Sequence, residues 1–154
     1  MDILLIAGLW LDGSVWGDVA ARLEARGHHA VPITLPGQGD GNTSATLADQ
    51  SAAVVAAVDA AAGRPMVVGH SAACSLAWLA ADARPGTVSK VALIGGFPSP
   101  DGEPYFSGFP IRDGAMAFRA GASSKGRTPP TSTMPHGSPS HRPRFRSRRG
   151  SPAE

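Results

Sequence analysis

Four short apolar runs alternate with three stretches of helical periodicity, the pattern of an α/β chain whose crossovers build one parallel sheet. The runs Ile3-Leu4-Leu5-Ile6 and Pro65-Met66-Val67-Val68-Gly69 do not alternate apolar with polar, so both faces of their strands are expected to be covered. The length of 154 residues allows one domain of ordinary size. Together these observations predict a three-layer α/β/α fold around a parallel sheet.

The first strand, Ile3 to Ile6, ends at Ala7-Gly8. Ser14 then offers an N-cap, and Trp16, Val19, Ala20 and Leu23 share one helical stripe that Gly27 closes. A second strand is expected over His29 to Leu35, and Pro32 within it marks a sheet edge or a missing ladder bond. After the turn Pro36-Gly37-Gln38-Gly39-Asp40-Gly41, Thr46 and Asp49 form a capping box for an Ala-rich helix with Leu47, Val54 and Val58 buried. The strand Pro65 to Gly69 runs into Ser71 and a third helix with Leu76, Leu79 and Ala80 inward. The fourth strand, Val91 to Ile94, stops at Gly95-Gly96.

Beyond Phe97, Pro98, Pro100, Gly102 and Pro104 break any period, and a lid region is expected to begin there. Residues 1–118 hold 6 Lys/Arg and 11 Asp/Glu, whereas 119–154 hold 8 and 1, so the net charge of +2 averages two unlike segments. After Ile111 there is no Leu, Ile or Val, and residues 119–154 are expected to form a disordered basic tail rich in Ser, Pro and Arg. A one-nucleotide shift of reading frame near Arg119 would account for the reversed charge, the lost aliphatic residues and the missing acid and histidine together.

Gly69-His70-Ser71-Ala72-Ala73 lies between a buried strand and a helix, where a nucleophile elbow belongs: so sharp a turn demands small residues around the serine. The other reading of Ser71 is an N-cap for the helix that follows. With the elbow, the segment Leu5-Ile6-Ala7-Gly8-Leu9-Trp10, the turn Leu35-Pro36-Gly37-Gln38-Gly39 and the strand Val91 to Ile94, residues 2–118 resemble the N-terminal part of an α/β-hydrolase, a small serine esterase-like member. Ala73 stands where the family usually has glycine, and Ala7-Gly8 where it often has His-Gly.

The resemblance implies acyl ester hydrolysis with Ser71 as nucleophile and the backbone N–H groups of Ala72 and Leu9 as oxyanion donors. It also implies a small-molecule ester-like substrate and no cofactor. A serine needs a histidine to take its proton and an acid to orient that histidine, and in this family they follow the serine as acid, then histidine. The acids after Ser71 are Asp82, Asp101, Glu103, Asp113 and Glu154, and the histidines are His136 and His141. Asp82 falls on the far side of the elbow helix, both histidines fall in the tail, His70 points away from its neighbour, and His28 and His29 enter the second strand on the opposite side. The triad is therefore expected to be incomplete and the chain, as a truncated hydrolase, weakly active or inactive. The alternative is a non-catalytic small-molecule-binding or inert fragment on the same scaffold.

A lone Cys74 without metal-ligand spacing suggests a reducing compartment, and the short apolar start lacks a signal peptide's basic region, so the expectation is a soluble cytoplasmic protein with no metal and no membrane partner. Arginines 142, 144, 146, 148 and 149 hang from an acidic domain without a nucleic-acid module, so no nucleic-acid partner is expected.

Overall fold

In the computed structural model, residues 1–100, 102–103, 111–112 and 115–116 are described. The expected tail and the candidates Asp101, Asp113, His136, His141 and Glu154 lie outside them.

The strands are β1 (Asp2–Ile6), β2 (His29–Ile33), β3 (Met66–His70) and β4 (Lys90–Ile94), joined by helices α1 (Gly17–Glu24), α2 (Leu47–Ala60) and α3 (Ala73–Ala83). They form one parallel sheet in the order β2-β1-β3-β4, with Leu4 registered against both Val31 and Val67, and Val68 against Ala92. β1 starts in the middle; the chain steps one way to β2 and then crosses to the other side for β3 and β4. Right-handed crossovers consequently set α1 on one face and α2 with α3 on the other. Pro32 sits on an edge strand, as its missing N–H requires.

Side chains of each strand alternate between two cores. Leu4, Ile6, Ile33 and Val67 pack with Val54 and Val58 of α2 and Leu76, Ala77 and Ala80 of α3. On the opposite side Ile3, Leu5, Ala30 and Val68 pack with Trp16, Ala20 and Leu23.

The Thr46 capping box forms as expected, with Asp49 N–H donating to Thr46 Oγ1 and Thr46 N–H to Asp49 Oδ2. The start of the first helix differs. A 3-10 turn over Gly13–Trp16 precedes α1, and Asp12, not Ser14, caps it by accepting the Ser14 N–H at 2.8 Å. Leu47, Leu79 and Val19, expected inward, are exposed, because each lies beside the helical arc that the neighbouring element covers. Where lid sequence without periodicity was expected, Ile111–Arg112 (β5) and Ala115–Met116 (β6) pair as a small antiparallel ladder. Among the described residues no helix is long and apolar enough to cross a membrane.

Candidate active site

Because the sheet order reverses between β1 and β3, the loops leaving those two strands part from one another and open a crevice at their C-terminal ends. Both sequence-predicted oxyanion positions and the serine lie on these loops. Ser71 adopts φ 55°, and it and Trp10 (φ 63°) are the non-glycine residues in the left-handed region among those described. Such a conformation costs about 1–3 kcal/mol and persists only where the surroundings enforce it.

Two backbone hydrogen bonds help to hold it: Ser71 N–H donates to the Ile94 carbonyl at 2.8 Å, and the Ser71 carbonyl accepts from Cys74 N–H at 3.1 Å. Three glycines make room for it. A Cβ on Gly69 would meet the Ala73 carbonyl oxygen at 2.5 Å, one on Gly96 the Ser71 carbonyl oxygen at 2.5 Å, and one on Gly8 the Ser71 Cβ at 2.9 Å. Thus the loops after β1, β3 and β4 touch around one serine through positions that tolerate no side chain. Ala73, which stands in for the usual glycine, is buried at the start of α3.

The hydroxyl does not cap α3. The cap residue is Ala72, without a side-chain bond, and no described residue is hydrogen-bonded to Ser71 Oγ. Nor does any carbonyl among the described residues take the N–H of Leu9 or of Ala72, whereas the next turn of the first loop is closed by Leu11 N–H on the Gly8 carbonyl. Among the described residues, then, two donors and a hydroxyl without a partner accompany the elbow. Trp10 is tied by its indole N–H to the Met116 carbonyl at 2.8 Å.

His70 packs edge-on against Trp16, with ring centres 6.3 Å apart at 90°, and its Nδ1 lies beside Gly8. His29 pairs with Asp2 at 3.3 Å at the N-terminal end of β1. Asp82 lies in the last turn of α3, about 14 Å along the helix from Ala73 at 1.5 Å per residue. Among the described residues, then, no imidazole or carboxylate engages Ser71. Cys74 is fully buried, its thiol on the Gly69 carbonyl at 3.3 Å, and burial pushes its pKa up, so it fills space instead of reacting.

A cavity of about 210 Å³ lies at Ser71, Ala72, Ser75, Gly95, Gly96, Phe97 and Ser99. A larger one, about 560 Å³, opens between the Gly8–Asp12 loop, Leu35, the Gly37–Ala45 turn, Gln50 and Met116. The larger space does not include Ser71, although Gly8 in its wall abuts that residue. The described residues hold no cluster of metal-ligating side chains.

The sequence singled out Ser71, Ala72 and Leu9 but missed what holds them: Gly96, the Ile94 carbonyl and the left-handed Trp10. The Gly95-Gly96 pair directly after a strand was the available signal for the first of these.

A family model described as "Alpha/beta hydrolase family" matches residues 3–153. A pyrethroid hydrolase from Sphingobium faniae JZ-2 is 29% identical with a TM-score of 0.56, the match covering 62% of this chain and 40% of that one. An extracellular alpha/beta-hydrolase from a Paenibacillus species is 22% identical with a TM-score of 0.61 over 66% of this chain and 43% of its own. Polyneuridine aldehyde esterase is 20% identical with a TM-score of 0.55 over 63% and 40%. The last two bear on the fold alone. This chain therefore spans about two-fifths of the length of these solved relatives. No curated protein matches it.

Proposed function

The chain belongs to the alpha/beta hydrolase family, and on that premise we propose that its site is the nucleophile-bearing half of an ester-cleaving serine hydrolase. Ser71 Oγ would attack the carbonyl carbon of a small-molecule ester, and the N–H groups of Leu9 and Ala72 would take the negative charge that develops on the carbonyl oxygen. The observation that carries this reading is Ser71 at φ 55° with its hydroxyl engaged by none of the described residues, between three glycines that let neighbouring backbones close on it. Packing alone gives no reason to hold a serine in that conformation. The pyrethroid hydrolase likeness supports hydrolytic chemistry.

The proton of the attacking serine needs an acceptor, and no described histidine offers one. Turnover by this chain is therefore proposed to be slow, within the roughly 10³ to 10⁴-fold over water that an oxyanion hole and binding supply by themselves. A binding role is the second reading, favoured by the 560 Å³ cavity whose wall leaves out Ser71.

Prolonged incubation with a fluorophosphonate separates the two, since an Oγ–P bond forms as fluoride leaves and the hydroxyl proton passes to water, and one slow event per chain suffices even without a histidine base. Stoichiometric labelling that disappears in Ser71→Ala supports the hydrolase reading. An unlabelled but folded protein supports the binding reading. Turnover of p-nitrophenyl acetate at full enzymatic rates, abolished by His136→Ala or His141→Ala, would overturn the incomplete triad.

A further inference from the structure

Among the described residues the buried polar side chain is that of Ser75, 7% exposed, in the first turn of α3 and four residues past Ser71. A helical serine can turn its hydroxyl back onto its own helix. This one crosses instead to the loop after β4: Ser75 Oγ accepts the Ser99 N–H at 2.9 Å and donates to Ser99 Oγ at 3.3 Å. The same two residues are common to the walls of two cavities. One is the space of about 210 Å³ at Ser71. The other, of about 240 Å³, is walled by Leu47, Trp78, Leu79, Pro98 and Pro100 among others, with Glu103 the charged side chain among its described residues.

We infer that the Ser75–Ser99 pair closes off the acyl pocket of the site and confines it to esters of short, uncharged acyl groups. The inference rests on the hydrolase reading of Ser71 and adds a substrate class to it.

After the alcohol leaves, the acyl group stays bonded to Ser71 Oγ, so it must occupy a space that Ser71 itself walls. The cavity of about 210 Å³ meets that condition and the one of about 560 Å³ does not. At the ~30 Å³ that a water molecule takes up in the liquid, the smaller space holds roughly seven such groups, which suits an acyl chain of about six carbons or fewer. No charged side chain is among its described wall residues, so nothing there offsets the desolvation of a charged acyl group. A longer chain would have to part the two serines, forfeiting both hydrogen bonds at a partly buried position, before it reached the apolar walls beyond.

Ethyl alkylphosphonofluoridates place an alkyl chain of chosen length where the acyl group would lie, and each labelling event forms one Oγ–P bond as fluoride leaves and the hydroxyl proton passes to water. With the full chain, the butyl probe should label Ser71 at least about tenfold faster than the dodecyl probe, and faster by a similar factor than a butyl probe ending in a carboxylate. Equal rates in either comparison would overturn the inference. Ser75→Gly removes the partition and should raise the dodecyl-to-butyl ratio at least about tenfold, while Ser75→Thr, which keeps the hydroxyl, should keep the parent's ratio. A general loosening of the elbow would slow both probes together, and a ratio left unmoved by Ser75→Gly would sink the partition.

A measurement without chemistry separates this inference from the hydrolase reading. In Ser71→Ala, methyl decanoate should shift the methyl resonances of Leu47 and Leu79 only once Ser75→Gly is added. Shifts already present with Ser75 in place, or absent from both proteins, would refute the partition whether or not Ser71 reacts. The expected shifts, for a parent chain that no probe labels, would remove the hydrolase reading and leave the partition standing.

Discussion

The face of the sheet under α2 and α3 and the face under α1 are built from the same strands but finished to different degrees. α3 contributes six buried residues and α2 contributes Val54 and Val58, whereas α1 contributes none that is fully buried. Neighbouring residues of one strand therefore meet different surroundings: Val67 is 0% exposed against two helices and Val68 6% against a single short one. A buried-strand sequence states how a strand wishes to be covered. Whether both covers are present depends on how many crossovers pass over each face, and here two pass over one face and one over the other.

The crowded face should break first and hardest. Gly69→Ala drives a methyl group into the Ala73 carbonyl and the Ala77 side chain, and should cost about 3 kcal/mol or more in urea unfolding. Val67→Ala removes two methyl groups from a site enclosed on all sides and should cost about 2.5 kcal/mol, while the same change at Val68 should cost about 1 kcal/mol, because the thinner face can relax around it. Equal costs would mean that the two faces are equally packed. Gly17→Ala tests the open side: its backbone is helical and nothing lies within 4 Å of an added Cβ, so stability should rise by about 0.8 kcal/mol.

The smallest effect concerns pH. Asp59, on the crowded face, is held below its ordinary value of 3.8 by hydrogen bonding to Arg84, and Asp2 is held below the same value by the Ala62 N–H and then by His29. Each carboxyl takes up its proton more readily in the unfolded chain, so its contribution is present above 3.8 and is lost as pH falls through the folded value. The difference in melting temperature between the parent and Asp59→Asn should therefore be flat at neutral pH and shrink only below about pH 4. Both carboxyls are solvent-exposed, so salt should reduce it as well.

Much of this architecture was legible because local chemistry settled it. The four strand-forming runs, the Thr46–Asp49 box and Pro32 on an edge each follow from contacts within a few residues or from a missing N–H. The elbow was legible because a strand, three small residues and a helix constrain one another. Leu47 and Leu79 were misread because periodicity marks an apolar stripe but not the width of the arc that a neighbour covers. Asp12 displaced Ser14 because the chain enters α1 through a 3-10 turn, which moves the cap upstream. The β5–β6 ladder escaped notice because two-residue strands carry no period.

Ser71 at φ 55° has a consequence for which residue each kind of selection would prefer at that position. Glycine enters that conformation freely, so Ser71→Gly should raise stability by about 1 kcal/mol while removing the hydroxyl. A library randomised at position 71 and sorted for resistance to heat or protease should enrich glycine, with asparagine behind it. The same library sorted for capture of a phosphonate probe should return serine. The residue at 71 thus reports which pressure the lineage has answered, folding or chemistry, since the two favour different side chains at a single backbone geometry.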